Sequence, residues 1–471
     1  MATFFERMAE AARAAMDAWR GLSPLPQLDY YDGLPYAERE RVERCQKFWD
    51  YYHGRHKTQL KRAEGLSDDN LILNYSRRIV DKGVSFLFGK PVEFQIVGGE
   101  ETDAERALKR IWVNEDWRGA FLNEVGLNGA VCGSFFIQIV PTEDGPPRLL
   151  NLNPMSVFPV YSQTDIEDVL AYELRYRLDN ALRRQVWAMS EDRMTWQFWT
   201  EERKRNSWIP APMPVMNEFG QRDVVTGRQV WPFPWCPIVH GKNLPNPNNF
   251  YGLSDLEDAD INDAINFVGS NTNRILKLYA HPVIWGNNLG NKILDWSPGK
   301  TLDLGMTGEM HALEMSPDMT ASQNHLRALV KAFHEITRVP ENDPDSLKLG
   351  SMSGFALRIL YSDLIEKTET KRRLYGRALA QVCQYGLELM GFPPQKVTLH
   401  WRDPLPIDER AQMEQDRFDL DYALASRETV RSRRGLDQDI ETRRIAAESA
   451  ETGGGAFLSE FLEIGRAEQE S

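Results

Sequence analysis

Side chains able to hold a metal, polarise a substrate or grip a phosphate come first. His53 and His56 stand three apart beside Asp50, a spacing at which two imidazoles can share a metal. No third ligand follows nearby, so a solvated helix end is expected there. Asp258, Asp260 and Asn262 reproduce the opening positions of a calcium loop. Asp263, however, takes the place of the required glycine and Gly269 that of the closing glutamate, so the loop can neither turn sharply nor close on a cation. Those acids suit a helix start instead. Lys367, Lys371, Arg372 and Arg373 form a basic cluster able to touch phosphate, but Glu366 and Glu369 are interleaved. Pairing along a solvated helix face explains them equally well. The chain contains no P-loop, dinucleotide glycine fingerprint, nucleophile elbow or zincin histidine pair. Trp49, Trp112, Trp117, Trp187 and Trp196 are scattered without a shared basic stripe, which suits core packing rather than base stacking. The expectation is a non-enzyme with no metal and no cofactor. The competing class is a metal-dependent nucleic-acid enzyme using the acids of 255–263.

The elements that must position these residues lie mainly between Tyr251 and Pro394. A first long helix is expected to open at Ser254, with Glu257 completing a capping box. Asp255, Asp258 and Asp260 load its positive end with acid, and Arg274 and Lys277 lie near its far end. Ile261, Ala264, Ile265, Val268, Ile275, Leu276 and Tyr279 give it one apolar face. A small β insert, 282–318, follows, with strands at Val283–Trp285, Thr301–Leu304 and Met310–Leu313. Leu326, Leu329, Val330, Phe333 and Ile336 then mark a second helix. It stops before Val339-Pro340, because the residue ahead of a proline is pushed out of the α region. After a loop reaching Ser353, a third helix runs to about Met390, polar on every side between Glu366 and Arg373. A lone monomer gains little by holding such a segment rigid, whereas a shared channel or subunit interface explains it.

The length predicts two to four domains, and the 42 % apolar content is ample for their cores. A formal charge of -13 argues against a surface that grips nucleic acid or anionic lipid overall. Cys45, Cys132, Cys236 and Cys383 lie far apart and read as reduced thiols of an intracellular protein. No apolar run reaches the length of a membrane span. Phe4, Phe5, Met8, Ala12, Met16 and Trp19 suggest an amphipathic N-terminal helix packed on this protein or a neighbour; Glu6, Glu10 and Asp17 disfavour an anionic leaflet.

The first half mixes helices and strands. Glu38–Tyr52, Leu71–Phe88 and Arg118–Val131 read as helices. Val92, Phe94 and Ile96, then Phe135–Val140, Leu149–Leu152 and Val157–Tyr161, read as strands. Tyr172, Leu174, Tyr176 and Leu178 alternate with Glu173, Arg175 and Arg177, a half-buried strand with a wet face. Trp187, Met189, Trp196 and Phe198 continue that sheet. Prolines cluster from Pro210 to Pro247, as in an extended strap rather than a core element. Val397–Trp401 is expected to return to the first domain as a strand, and 408–450 to form a tail of short helices.

Several runs together resemble the tailed-phage portal proteins of siphophage type. They are NLILNYSRRIVDKGVSFLFGKP from Asn70, PRLLNLNPMSVFPVY from Pro147, NFYGLSDLEDADINDAIN from Asn249, GSMSGFALRILYSDL from Gly350 and ALASRETVRSRRGLDQDIE from Ala423. Their order and spacing carry the resemblance. It implies an α+β fold assembling as a ring, most often of twelve copies, around a channel for double-stranded DNA. The implied parts are a wing at 1–252 with 392–405 returning to it, a stem helix at 253–281, a clip at 282–318 and a second stem helix at 319–338. A tunnel loop at 339–353, a long helix at 354–391 and a crown at 406–471 complete it. It also implies DNA-channel residues Asn342, Asp345, Lys348, Ser351, Lys371, Arg372 and Arg373, and docking residues Trp285, Asn288, Lys292, Trp296 and Lys300 on the clip. The implied partners are a terminase large subunit, a head–tail adaptor, and the major capsid and scaffolding proteins, with no membrane. The implied place is one capsid vertex of the virion, after assembly in the host cytoplasm. The run Asn342-Asp343-Pro344-Asp345 is more acidic than this resemblance leads one to expect. Another ring-forming virion connector is the remaining alternative, although adaptors are usually far smaller.

Overall fold

Alternating apolar side chains build the main sheet. The computed structural model describes residues 33–57, 60, 70–98, 102–112, 115–142, 145–162, 164–178, 181–205, 207–216, 222–280, 284–287, 309–312, 319–341, 354–405, 409–433, 441–442 and 444–445. The N-terminal amphipathic stretch, the strand expected at Thr301–Leu304, and the loop from Asn342 to Ser353 lie outside them. The chain divides into two units, one of residues 1–352 with 356–404 and one of 353–355 with 405–471.

In the first unit, β4 (Val157–Tyr161), β5 (Val169–Leu178), β6 (Ala181–Met189), β7 (Trp196–Lys204) and β11 (Gln229–Trp231) pair antiparallel, with β8 (Ser207–Pro210) also on β7 and with β9 (Met213–Met216) and β10 (Arg222–Val225) forming a separate antiparallel hairpin. Tyr172, Leu174 and Tyr176 point into the core, as period-two patterning dictates. Arg175, expected on the wet face, is buried. Its Nε donates to Glu173 at 2.6 Å, and its guanidinium lies 5.4 Å from the ring centroids of Phe158 and Trp208, so the β8 tryptophan covers it. The proline-rich stretch departs from expectation in the same way. Although extended, it supplies core: Trp231 is fully buried and stands edge-on to Trp187, while Trp235 stacks on Tyr385 at 4.0 Å. Each indole N–H has an acceptor, the Trp235 carbonyl for Trp231 and Glu388 Oε2 for Trp235, as buried indoles require.

A second sheet orders β12 (Ile238–Lys242), β2 (Ser134–Val140) and β3 (Arg148–Leu152). Every residue of β2 is buried, because helices cover the face that the main sheet does not. These are α4 (Glu115–Cys132) and the long α8 (Ser362–Leu389). The returning strand β15 (Val397–His400) pairs antiparallel with β1 (Glu93–Ile96), Phe94 lying opposite Leu399. Phe94 stacks at 4.3 Å on Trp112, which follows α3 (Asp103–Ile111). The four cysteines are free and buried.

The helices begin and break where backbone chemistry allows. α1 spans Tyr36–Tyr52. α2 starts at Tyr75 rather than Leu71 and ends at Phe88; the Asn74 side chain caps it by accepting the Arg77 N–H at 3.0 Å. α5 (Asp260–Ala280) starts six residues after Ser254. The expected capping pair forms in the turn ahead of it, where Glu257 Oε1 accepts the Ser254 N–H and Ser254 Oγ accepts that of Leu256. After α5 come β13 (Ile284–Asn287) and its antiparallel partner β14 (Glu309–Ala312), then α6 (Thr320–Thr337), which packs on α5. Arg338 closes α6 in the left-handed region at φ 60°, ahead of Pro340. The third helix is not continuous: α7 (Gly354–Leu360) and α8 meet at a non-helical Tyr361. No helix among the described residues is long and apolar enough to cross a membrane. The second unit contains α9 (Glu409–Asp421) and α10 (Arg427–Arg433).

Gly133 joins α4 to β2 at φ 79°, and an added Cβ would sit 2.4 Å from the Gly252 carbonyl oxygen. Gly133→Ala should therefore lower stability by about 2–3 kcal/mol, read as an earlier urea midpoint. Gly98→Ala, with φ 73° but open space around it, should lose only about 1 kcal/mol.

Candidate functional site

Lys367 and Lys371 stand one helical turn apart on α8 and so project from one face. That face meets Asp255, in the turn ahead of α5. Asp255 Oδ1 lies 3.1 Å from Lys367 Nζ, and Oδ2 accepts a short hydrogen bond from Lys371 Nζ. The Asp255 backbone N–H donates to the Ala130 carbonyl at 2.8 Å, fixing the carboxylate over the end of α4. Gly83 of α2 faces the pair, where a Cβ would make ordinary contact with Asp255 Oδ2 at 3.4 Å. Asn243 Nδ2 reaches the same carboxylate at 3.5 Å, and its Oδ1 accepts the Tyr375 hydroxyl at 3.2 Å. Lys367 Nζ also donates to the carbonyl of Thr337 at 3.2 Å, in the last turn of α6, where the helix dipole favours a cation. One ionic node thus joins the turn ahead of α5, the end of α6 and the first third of α8.

Burial pushes the Asp255 carboxyl up, but Lys367 and then Lys371 more than offset it and bring it down to about 2. Burial lowers the Lys371 ammonium, which Asp255 raises and Lys367 lowers again. The pair remains ionic because each charge has its counterpart in hydrogen-bond contact.

A second set of contacts seats α5. Asn262, Asn266 and Ser270 lie four apart along one face. Their side-chain oxygens accept the backbone N–H groups of Ser76, Leu73 and Leu71 at 2.9, 2.9 and 2.8 Å. This ladder draws 71–73 out of the expected helix and into an extended strip along α5. The polar stripe on an otherwise apolar helix was the available signal, and sequence reasoning passed over it. The acids that mimic a calcium loop are used nearby. The Tyr51 hydroxyl lies 2.6 Å from Asp263 Oδ2 and 2.8 Å from Asp260 Oδ1, and Lys47 pairs with Asp260 at 2.8 Å. His53 is exposed and stacks on Trp49, but His56, expected in solvent, is buried with Nδ1 3.4 Å from Asp263 Oδ1. No cluster suited to a metal occurs among the described residues.

Asn342, Asp345, Lys348 and Ser351 lie outside the described residues. Lys371 is buried in the node, so it is withdrawn as a contact for DNA; its charge is neutralised inside the chain. Arg372 pairs with Glu369 at 2.7 Å, donates to the Arg402 carbonyl and lies 5.5 Å over Trp401. Arg373 is exposed. Of the expected docking residues, Trp285 sits on β13 opposite His311, and Asn288, Lys292, Trp296 and Lys300 lie outside the described residues.

Two long helices rooted in a mixed α/β body, with a small β-ribbon between them in sequence, give the chain an α+β fold. The chain belongs to the phage portal protein family of SPP1 Gp6-like type, whose model matches residues 32–454. Similar solved structures include the virion of a native gene transfer agent particle, at 14 % identity over 90 % of this chain and 99 % of that one, with a TM-score of 0.43. The neck of the native gene transfer agent particle computed with C12 symmetry is 15 % identical over 77 % of this chain and 89 % of that one, with a TM-score of 0.40. The neck of the empty particle computed with C6 symmetry is 15 % identical over 77 % and 90 %, with a TM-score of 0.43. No curated protein matches the chain.

Asp255→Ala leaves the buried Lys371 and the half-buried Lys367 without their carboxylate and should cost about 3–5 kcal/mol. Asp255→Leu combined with Lys367→Met and Lys371→Met should recover most of that loss, both read from urea midpoints. Because the folded carboxyl is depressed, its stabilisation is complete above about pH 4 and disappears as pH falls towards 2. The triple variant should accordingly lose the part of the acid-unfolding slope that falls in this window.

Proposed function

We propose that this chain is the portal subunit of a phage or phage-like particle. Copies of it, twelve by the family's usual count, close into a ring at one capsid vertex, through which double-stranded DNA is packaged and later leaves. The family match across residues 32–454 carries this reading. The assignment of parts follows the chain order. A wing comprises 1–252 with 392–405, the stem helices lie at 253–281 and 319–338, and the clip spans 282–318. The tunnel loop is 339–353, the long helix 354–391 and the crown 406–471. The clip, with Trp285, Asn288, Lys292, Trp296 and Lys300, docks the terminase large subunit during packaging and a head–tail adaptor afterwards. Capsid and scaffolding proteins meet the ring during assembly in the host cytoplasm.

The mechanism is passive conduction. Each phosphate neutralised by a fixed cation releases counterions and adds affinity, so a channel rich in free cations would hold the duplex instead of letting it slide. A net charge of -13 suits that requirement. The burial of Lys371 and the pairing of Arg372 remove two cations from any channel wall. Lys348 and Arg373, with the polar Asn342, Asp345 and Ser351, are left as the transient contacts. The node fits the same picture, since it ties both ends of the stem to the long helix and so gives the tunnel loop a rigid base.

Negative-stain images of the purified protein should show annular particles; a compact single-copy globule under every condition would overturn the reading. Lys348→Glu should leave the rings intact and shorten the DNA packaged per particle. Unchanged packaging would remove Lys348 from the channel.

A further inference from the structure

Two of the buried thiols meet each other. Cys45 lies on the inner face of α1, and Cys132 is the last residue of α4. Both belong to one apolar cluster with Val42, Phe48, Val131 and Leu256. Cys45 Sγ lies 3.7 Å from the Cys132 carbonyl oxygen, and the two side chains hydrogen-bond one another. Cys383 is placed differently, its sulfur accepting the Trp112 indole N–H at 3.3 Å.

The two thiols of the pair also differ in character. The hydrogen bond from Cys132 lowers Cys45, and the charges of Arg41 and Arg44 lower it further, against burial and Glu257. Arg41 is itself buried one turn before Cys45. Glu38 and the carbonyls of Pro154 and Val157 hold its guanidinium, so the charge is fixed beside the sulfur. Burial, and then Cys45, push Cys132 well up. Burial pushes Cys236 up and Cys383 up to about 12. The thiolate is the reactive form, so Cys45 is the nucleophile among the four cysteines and Cys132 stands next to it as the resolving thiol.

We propose that Cys45 and Cys132 are a paired oxidation site, which a peroxide converts to an intrachain disulfide stapling α1 to the end of α4. The Cys45 thiolate attacks one peroxide oxygen, the O–O bond breaks, and hydroxide leaves and takes up the proton that Cys45 released. The Cys132 sulfur then attacks the sulfenic acid sulfur of Cys45. The S–O bond breaks, and the hydroxyl departs as water with the Cys132 proton. Two thiols are oxidised and one hydrogen peroxide is reduced to two waters. The staple bears directly on the seat of Asp255. Ala130, two residues before Cys132, accepts the Asp255 N–H, and Ser254 Oγ donates to the carbonyls of Ala130 and Val131. A particle that leaves its host passes from a reducing to an oxidising medium; that setting rests on the portal reading, whereas the linkage itself does not.

The test treats the native full chain with hydrogen peroxide, blocks the remaining thiols with N-ethylmaleimide after denaturation, and maps a digest made without reductant. The expected product is a peptide pair joined through Cys45 and Cys132, formed roughly ten-fold faster than Cys236 or Cys383 is oxidised. In Cys132→Ser the Cys45 sulfenic acid should persist and be trapped by dimedone, and in Cys45→Ser the joined pair should vanish. The linked chain should unfold at a higher urea concentration than the reduced one, and dithiothreitol should reverse that shift. Loss of all four thiols at one rate, a link that forms only after unfolding, both thiols still free, or a linked chain that unfolds no later than the reduced one would each overturn the proposal. Peptide masses are read on single chains and rings alike, so failure here is distinct from failure to find annular particles.

Discussion

A carboxylate buried between two ammonium groups sets the geometry from which the long helices depart. Asp255 sits in the turn ahead of α5, and Lys367 and Lys371 sit on α8; Lys367 also reaches the last turn of α6. Taking three charges out of water is expensive, and well-packed apolar residues often serve stability equally well. An ionic node differs from an apolar patch in tolerating little misalignment, because a shift of an ångström leaves a buried charge without its partner. For helices that must leave the body at fixed angles, that intolerance is the useful property.

The rest of the body supports the node in layers. Gly133 lets its backbone approach Gly252 where a side chain would intrude, and Asn243 links the carboxylate to Tyr375. Tyr375 in turn stacks on Phe135 at 4.4 Å, so the polar centre passes directly into the apolar core of the second sheet. The ladder of Asn262, Asn266 and Ser270 holds α5 from another side by accepting backbone N–H groups of an extended strip that belongs to no sheet. Ion pair, amide ladder and aromatic stack act at one junction, and each constrains a different direction of movement.

Much of the scaffold was legible from residue order. The alternation around Tyr172 marked a strand, the proline at 340 marked the end of a helix, and the apolar run at Val397 marked the strand that pairs with β1. These signals are local, since each depends on backbone preferences or on a period of two or 3.6 residues. The errors share one cause as well. Arg175 lies among residues that read as a wet face, His56 reads as a solvated end, and Lys371 reads as a surface cation, yet all three are buried. Their neighbours come from distant parts of the chain: Trp208 for Arg175, Asp263 for His56 and Asp255 for Lys371.

The sequence by itself determined most of the elements, their order and the family they belong to, because those follow from short-range periodicity and from runs of residues in a fixed succession. Only the tertiary structure decided which polar groups face solvent and which neutralise one another. Burial of a charge depends on a partner's position in space, and 116 residues separate Asp255 from Lys371 along the chain.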